Sequence, residues 1–545
     1  MDNLRIIIPA IKKSVAFPDD LVKKLAGISL IQRSINTAIN VSSSKNIYVV
    51  TDSDEIVLIC QRNNISYIYN KSLYIYSNNL LGSLFPYLNS FLNQNLNLIL
   101  LSPYIPLIKS EEIRSAYQKF IENKSNLMLP ILNKRMRFFD NNPRPIGEFI
   151  HENYGQNFFC ELNSFLIVKS DVLLQNSGSL IRPDSFQLYE NALEIRTYHD
   201  WWVCEKLINR RRIVFRVIGN RAVGMGHIFR SLALAHEISD HEIRFVCDND
   251  SKIATSKLAG YDYWLGTYSK EEIEDAIIGM KPDLIINDIL DTESRYIRRL
   301  QKAGIIVVNF EDLGSGAAEA DMTINDLYDN PIISGENILW GKKWFFLRDE
   351  FSDAKPRKFH SRVQRLLIAF GGTDPSDYTL RVLKEILDYC SEKSIMIDVI
   401  TGEGYIHTQK LEEFIMSLAN FNIRYTHATG VISKLMEQTD IAICSNGRTV
   451  YELAHMNIPA IVFSHHERET THQFSHENNG FIPLGLYSEN EYSKAELLSS
   501  LKHLVEDDEF RLKLYRNMKY LHFSQNKRKV VRKIIGLLDE KEDEL

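Results

Sequence analysis

The sequence predicts an α/β protein of three successive units. Two observations carry this. Short runs of Ile, Val and Leu recur along the chain, each closed by a Gly, Asp, Asn or Ser turn and followed by a helical stretch. That alternation marks strands joined by crossover helices. The runs are also nearly continuous rather than alternating, as in Ile213–Ile218 and Ile441–Ser445, and strands buried on both faces read that way. In the first unit the expected strands begin with Leu4–Ile8, Asn46–Thr51 and Leu96–Leu101. In the second they are Ile213–Ile218, Ile243–Cys247, Leu284–Asn287 and Ile305–Asn309; in the third, Arg365–Phe370, Ile397–Thr401, Ile441–Ser445 and Ala460–Phe463. Two breaks set the boundaries. Asn209-Arg210-Arg211-Arg212 closes a helical stretch just before a strongly apolar strand, and Phe351–Arg362 is polar and holds Pro356. The units are therefore 1–211, 212–352 and 353–545.

Composition excludes several functions. Lys and Arg total 64 against 70 Asp and Glu, a net charge of −6, so the basic excess of a nucleic-acid binder is missing. No apolar run reaches the ~18 residues that span a bilayer, and Arg5–Pro9 is too short for a secretory h-region. The six cysteines (Cys60, Cys160, Cys204, Cys247, Cys390, Cys444) are dispersed and lack C-x-x-C spacing. They read as reduced thiols of a cytoplasmic protein. Lys527-Arg528-Lys529 and the acidic end Asp539–Glu544 read as a solvated terminal helix and tail.

The strongest motif is Gly224-Met225-Gly226-His227-Ile228-Phe229-Arg230, which follows a strand and opens a helix. Glycines at such a turn admit close backbone approach, and the helix start favours negative charge. His227 then stands at the mouth of a cleft beside a sheet edge, with an imidazole suited to take a proton near neutral pH. Arg230 is placed to orient a carboxylate or phosphate. A packing histidine in a glycine-rich turn is the competing reading. Two further loops end strands and start helices: Phe370-Gly371-Gly372-Thr373-Asp374-Pro375 and Ser445-Asn446-Gly447-Arg448-Thr449-Val450-Tyr451-Glu452. Their backbone N–H groups can cradle a diphosphate, and Glu452 can accept from ribose hydroxyls. The stretch Ser464–His476 is rich in His but lacks H-E-x-x-H spacing, so it reads as polar lining through His472 and Gln473 rather than as a metal site.

Together with Trp344–Phe351, these motifs resemble the UDP-sugar hydrolase of pseudaminic acid biosynthesis. That enzyme is a GT-B-type relative of the peptidoglycan lipid-intermediate glycosyltransferase. The resemblance covers about 213–525. It implies a GT-B pair of Rossmann-like domains and a UDP-2,4-diacetamido-trideoxy-hexose substrate. It also implies inverting hydrolysis without a metal, with His227 as the base that activates water. The uracil and ribose would lie against the third unit, with Glu452 on the ribose. The family's Asp-rich stretch is represented by Asn287–Thr292 and by Asn309-Phe310-Glu311-Asp312-Leu313-Gly314. Glu311 replaces the first of a paired Asp-Asp, and both Glu311 and Asp312 are expected to face the sugar.

Residues 1–211 resemble CMP-sialic acid synthetase, a nucleotidyltransferase with a Rossmann-type domain. The anchors are Ile8-Pro9-Ala10, Leu25-Ala26-Gly27, Thr51–Ile56 and Ser102–Leu107. The family's triphosphate loop is Arg-Gly-Gly-Ser-Lys-Arg; here those positions are Ile11-Lys12-Lys13-Ser14-Val15-Ala16. Its magnesium-binding Asp-Ile-Asp corresponds to the stretch Glu194-Ile195-Arg196-Thr197-Tyr198-His199-Asp200, where Arg196 replaces a metal-binding carboxylate and a fixed cation repels Mg²⁺. Ser102 and Ile108 stand where the family has Gln and Arg. The unit is therefore expected to be noncatalytic, and the resemblance implies a homodimer through it. The whole chain is expected to be a cofactor-free UDP-sugar hydrolase that binds neither nucleic acid nor membrane. A nucleotide-sugar glycosyltransferase, a bifunctional protein with residual cytidylyltransferase activity and a silent nucleotide-sugar binding protein are the alternatives.

Overall fold

The computed structural model describes residues 3–12, 18–73, 84, 86–88, 91, 95–135, 142, 157–175, 182–188, 192–418, 421–488 and 490–543. The chain divides into two compact units, Met1–Arg210 and Arg211–Leu545. The fold is mixed α/β throughout.

In the first unit the described strands are β1 (Leu4–Ala10), the hairpin β2 (Lys24–Leu25) and β3 (Ile28–Ser29), β4 (Ile47–Thr51), β5 (Ser66–Tyr69), β6 (Asn97–Leu101), β7 (Leu127–Arg135), β8 (Asn157–Glu161), β9 (Phe165–Lys169) and β10 (Asp184–Leu188). Its main sheet runs β10-β7-β9-β6-β1-β4-β5, with β8 added to β7. The strands β1, β4, β5 and β6 are parallel, and β1, β4 and β6 are the apolar runs read from the sequence. β9 is antiparallel to both β6 and β7, and β8 to β7. The expectation of purely parallel layers is corrected there: a strand that reverses direction needs no crossover helix, so helix alternation cannot reveal it. Residues of β1 alternate between the two cores, Ile6 and Ile8 toward one face and Ile7 toward the other.

The second unit contains two sheets. The first comprises β11 (Arg212–Val217), β12 (Glu242–Asp248), β13 (Trp264–Tyr268), β14 (Leu284–Asp288), β15 (Ile306–Phe310), β16 (Met322–Asn325) and β17 (Ile338–Trp340), in the order β13-β12-β11-β14-β15-β16-β17. The second comprises β18 (Arg365–Ala369), β19 (Met396–Thr401), β20 (Ile423–His427), β21 (Ile441–Ser445), β22 (Ala460–Ser464) and β23 (Phe481–Leu486), in the order β20-β19-β18-β21-β22-β23. Every pairing is parallel. Both sheets follow the doubly wound order in which the first strand lies between the second and the fourth. The winding therefore reverses between β11 and β14, and again between β18 and β21. At such a switch point the connections diverge to opposite faces and leave a crevice beyond the strand ends. The unit is a pair of Rossmann-like halves.

The last helix, Asn526–Asp543, departs from the sequence expectation. It buries Val530, Ile534 and Leu538 in the core beneath the first sheet of this unit, beside Ile228, Leu232 and Ala235. Its Arg528 and Lys529 are exposed. The helix is solvated on one side only, and the chain returns to the half that begins at Arg211. The i, i+4, i+8 spacing of the three apolar residues is the signal for this, which the neighbouring charges outweighed.

Candidate functional site

The crevices of the two halves meet in one cavity of about 290 Å³. Segments that follow strands of both sheets supply its wall, and three glycine-containing loops among them follow β11, β18 and β21, strands at the switch points. After β11, Gly219–Met225 turns into the helix Gly226–Glu237. The turn is fixed by Asn220, whose Oδ1 accepts from the N–H groups of Ala222 and Val223. Gly224 sits at φ +76°, a left-handed conformation that favours glycine. After β18 comes Phe370–Pro375, and after β21 comes Ser445–Thr449. Leu290 and Glu311, also on the wall, follow β14 and β15; both have positive φ (68° and 52°) without being glycine. Such strain persists where surrounding contacts impose it, and it clusters at functional sites.

The structure brings Gly224, Gly226, His227, Glu311, Gly371, Gly372, Thr373, Ser445, Gly447, Arg448, Thr449, Glu452 and His472 together around this cavity. Four other residues singled out in the sequence lie elsewhere. Arg230 is fully buried behind His227. Asp312 does not line the cavity: it accepts from the Thr292 backbone and hydroxyl, Asn309 and the Gly314 N–H. Burial raises its pKa, and it organises the loops behind the wall. Asn446 donates to the carbonyls of Glu469 and His472, so it supports the wall from behind. Gln473 is exposed and bonded to Asn330.

At the centre is a charged cluster that the sequence only hinted at. His227 Nδ1 lies 2.5 Å from Asp288 Oδ1. An ionised carboxylate only accepts, so Nδ1 carries a proton, and in the neutral ring Nε2 is the acceptor. Arg230 Nε donates to Asp288 Oδ2 at 2.8 Å, and its Nη2 bonds to Oδ1. Arg230 Nη1 bonds to Glu311 at 2.5 Å and to Asp326 at 3.3 Å. Across the cleft, Arg448 reaches Asp326 at 3.1 Å and the Phe346 carbonyl at 2.9 Å. Burial alone would raise the pKa of Asp288, but Arg230 and His227 more than offset it and hold the carboxyl well below its usual range. Glu311 is also pushed up by burial and pulled down more strongly by Arg230, to about 2. For Asp326 burial wins, and its pKa is raised in spite of Arg448 and Arg230.

Sequence reading missed Asp288 as a partner of His227 and missed Asp326 altogether; Arg348 fell within the Trp344–Phe351 motif but was given no role. Asp288 ends a strand whose five residues are all buried; a charged residue there has to be paired, and that was the available signal. Arg348 donates to Glu452 at 2.8 Å and pairs with Glu350 at 2.9 Å. Glu452 therefore faces the cavity with one oxygen already engaged.

The walls meet tightly. A Cβ at Gly402 would stand 2.5 Å from the Gly372 Cα and carbonyl oxygen, both backbone atoms. Gly402→Ala is expected to destabilise the protein by about 1–3 kcal/mol, the usual cost of overpacking. Gly430, also on the wall, has nothing within 4 Å of such a Cβ. Gly430→Ala is expected to stay within about 0.5 kcal/mol of the parent. Urea melts of the two variants check this.

In the first unit the positions compared with the nucleotidyltransferase loop and metal site carry ion pairs. Lys12 Nζ binds Asp19 at 2.9 Å and Glu55 at 2.6 Å, and its backbone N–H binds Asp52. Lys13, Ser14, Val15 and Ala16 lie outside the described residues. Arg196 pairs with Glu194 at 2.5 Å. Asp200 accepts from the N–H groups of Arg196 and Thr197 at the start of the helix Tyr198–Ile208. Among the described residues no group of three or more His, Cys, Asp or Glu is placed to hold a metal, and no helix is long and apolar enough to cross a membrane.

Fold and site together define an α/β protein with a cleft between two Rossmann-like halves. No family model matches the chain. It is similar to an uncharacterised protein of Methanocaldococcus jannaschii, 26% identical over 266 residues, which are 46% of this chain and 54% of the relative; the chain thus spans about half of that relative's length. The spore coat polysaccharide biosynthesis protein SpsG of Bacillus subtilis is 23% identical over 266 residues, 46% of this chain and 77% of the relative. The UDP-2,4-diacetamido-2,4,6-trideoxy-beta-L-altropyranose hydrolase of Campylobacter jejuni is 23% identical over 270 residues, 48% of this chain and 94% of the relative. Among solved structures, MurG of Acinetobacter baumannii aligns with a TM-score of 0.44 and 13% identity over 60% of this chain and 99% of its own. A CMP:2-keto-3-deoxy-manno-octonic acid synthetase complexed with CTP aligns with a TM-score of 0.32 and 13% identity over 38% of this chain and 98% of its own.

Proposed function

We propose that the second unit is a hydrolase that cleaves a UDP-activated amino or deoxy sugar at its anomeric carbon. The observation that carries this reading is the His227–Asp288 pair at the edge of a cavity walled by three glycine loops. Asp288 holds the Nδ1 proton, so Nε2 accepts a proton from water. The resulting hydroxide-like oxygen attacks the anomeric carbon from the face opposite the diphosphate, and UDP leaves with the bonding pair. Backbone N–H groups at Gly371–Thr373 and Gly447–Thr449 meet the charge on the leaving diphosphate. The inverting course follows from a single displacement, and the reading requires no metal. The Campylobacter relative, by its name a hydrolase of a UDP-diacetamido-trideoxy sugar, supports the substrate class, and the motif resemblance extends the proposal to a place in nonulosonic (pseudaminic or sialic-like) acid biosynthesis.

The first unit is proposed to be noncatalytic, because Lys12 and Arg196 are both engaged by carboxylates. It is the proposed site of homodimerisation. Six cysteines without a disulfide, five of them buried, support a cytoplasmic setting. The test is a set of two assays. Incubation with UDP-sugars in chelator is expected to release UDP without an added acceptor. Incubation with CTP, Mg²⁺ and a nonulosonic acid is expected to release no pyrophosphate. Strict dependence on an acceptor would replace hydrolysis by glycosyl transfer, and pyrophosphate release would make the protein bifunctional.

A further inference from the structure

We propose that Arg448 couples occupancy of the nucleotide site to the basicity of His227. This deepens the nucleotide-sugar reading and rests on it. Arg448 is then a positioning residue, acting on the base through other side chains.

Arg448 belongs to the loop after β21 and borders the cavity between Gly447 and Thr449. Its side chain leaves that half and enters the other. Nη1 donates to Asp326 Oδ2 at 3.1 Å and lies 4.0 Å from Glu311 Oε1; Nη2 donates to the Phe346 carbonyl. The guanidinium stacks on Phe345 at 4.3 Å. From Asp326 the chain of contacts runs through Arg230 and Asp288 to His227 Nδ1. The stem of Arg448 also passes beside Gly226, the residue before the base, where an added Cβ would stand 3.3 Å from its Cδ.

The cluster contains three carboxylates, Asp288, Glu311 and Asp326, and two guanidiniums. Arg230 is sealed from the cavity, whereas Arg448 lines it. The other charges on the wall are held by local partners. Lys257 pairs with Glu403, Arg348 with Glu452 and Glu350, and Arg468 with Asp291; Glu469 accepts from the His465 N–H. His465 and His472 are bonded to the Phe370 and Asn446 carbonyls, and His466 lies beside the Glu469 N–H. Arg448 is thus the charge shared between the nucleotide loop and the base. A diphosphate arriving at Gly447–Thr449 competes with Asp326 and Glu311 for it. Once phosphate takes up part of its charge, the cluster around His227 is left more negative and an imidazolium there is better stabilised. The base is therefore stronger when the nucleotide is in place.

The experiment is an NMR titration of His227, assigned by comparison with His227→Ala, in the full chain with and without UDP. In the parent protein UDP is expected to raise the midpoint by about one pH unit, and uridine, which has no phosphate, is expected to leave it unchanged. In Arg448→Gln the midpoint without ligand is expected to lie near the UDP-bound value of the parent, with little further shift on adding UDP. Arg448→Lys, which keeps the charge, is expected to behave as the parent does. A UDP-induced shift of full size in Arg448→Gln would assign the effect to the field of the diphosphate itself and overturn the coupling. So would UDP binding with no shift in the parent, a result that needs no variant to fold. Failure of UDP to bind, together with unchanged turnover in His227→Ala, would instead overturn the nucleotide-sugar reading.

Discussion

Asp288→Asn is expected to lower turnover of the UDP-sugar by about 10³-fold or more, a loss of the kind seen when a base loses its orienting carboxylate. It should approach the loss in His227→Ala, for which removal of a general base predicts about 10²–10⁴-fold. The reason lies in the hydrogen-bond inventory. Arg230 Nε and the Ser231 hydroxyl both donate to the present Oδ2, so the carbonyl oxygen of the introduced amide is placed there. Arg230 Nη2, which now bonds to Oδ1, loses its acceptor. The amide NH₂ then faces His227 Nδ1. An amide N–H donates, so Nδ1 becomes the acceptor and the ring proton moves to Nε2. That nitrogen then points a hydrogen at the water it should deprotonate. The side-chain volume is unchanged, but a buried charge beside Arg230 is lost and stability falls with it; a circular dichroism melt beside the kinetic assay separates the two effects. Turnover within tenfold of the parent would remove His227 from the role of base.

The parts of this site that the sequence revealed are those made by local backbone. Gly224–Gly226, Gly371–Thr373 and Ser445–Thr449 each sit where a buried strand ends and a helix begins, and the chain itself announces that junction. The central strands were legible for a related reason: β14, β15, β21 and β22 are buried along their whole length, so they read as unbroken apolar runs. Edge strands do not. β5, β13 and β20 are largely exposed or half-buried, and their mixed composition hid them. The charged cluster was harder still. Asp288 lies 61 residues from His227, and Asp326 lies 122 residues from Arg448. Nothing local links such residues; sheet order alone brings them together. Asp312 shows the converse error. Adjacent to Glu311 in sequence, it was grouped with the cavity, but the left-handed turn at Glu311 sends the two carboxylates to different sides of the wall.

Arg230→Leu is expected to destabilise the fold by about 3–5 kcal/mol near pH 7, because removing one partner from a buried ion cluster leaves the others uncompensated. Its signature is the change of the deficit with pH. In the parent, Asp288 and Glu311 have folded pKa values below their unfolded ones. Their contribution to stability is complete above the ordinary carboxylate range and drains away as pH falls toward 2. Asp326, whose folded pKa is raised, acts in the opposite sense: its contribution is present at low pH and is lost as pH rises through that value. Without Arg230, burial weighs more heavily on all three carboxyls, opposed by His227 at Asp288, by His227 and Arg448 at Glu311 and by Arg448 at Asp326, and their folded pKa values move up. The variant should therefore gain stability relative to the parent as pH falls from 7 to 5. Urea melts of both proteins at the two pH values measure this directly, since ionisations common to both cancel in the difference. A deficit of equal size at pH 7 and pH 5 would mean that Arg230 serves as packing volume, and the electrostatic account of the cluster around His227 would fall with it.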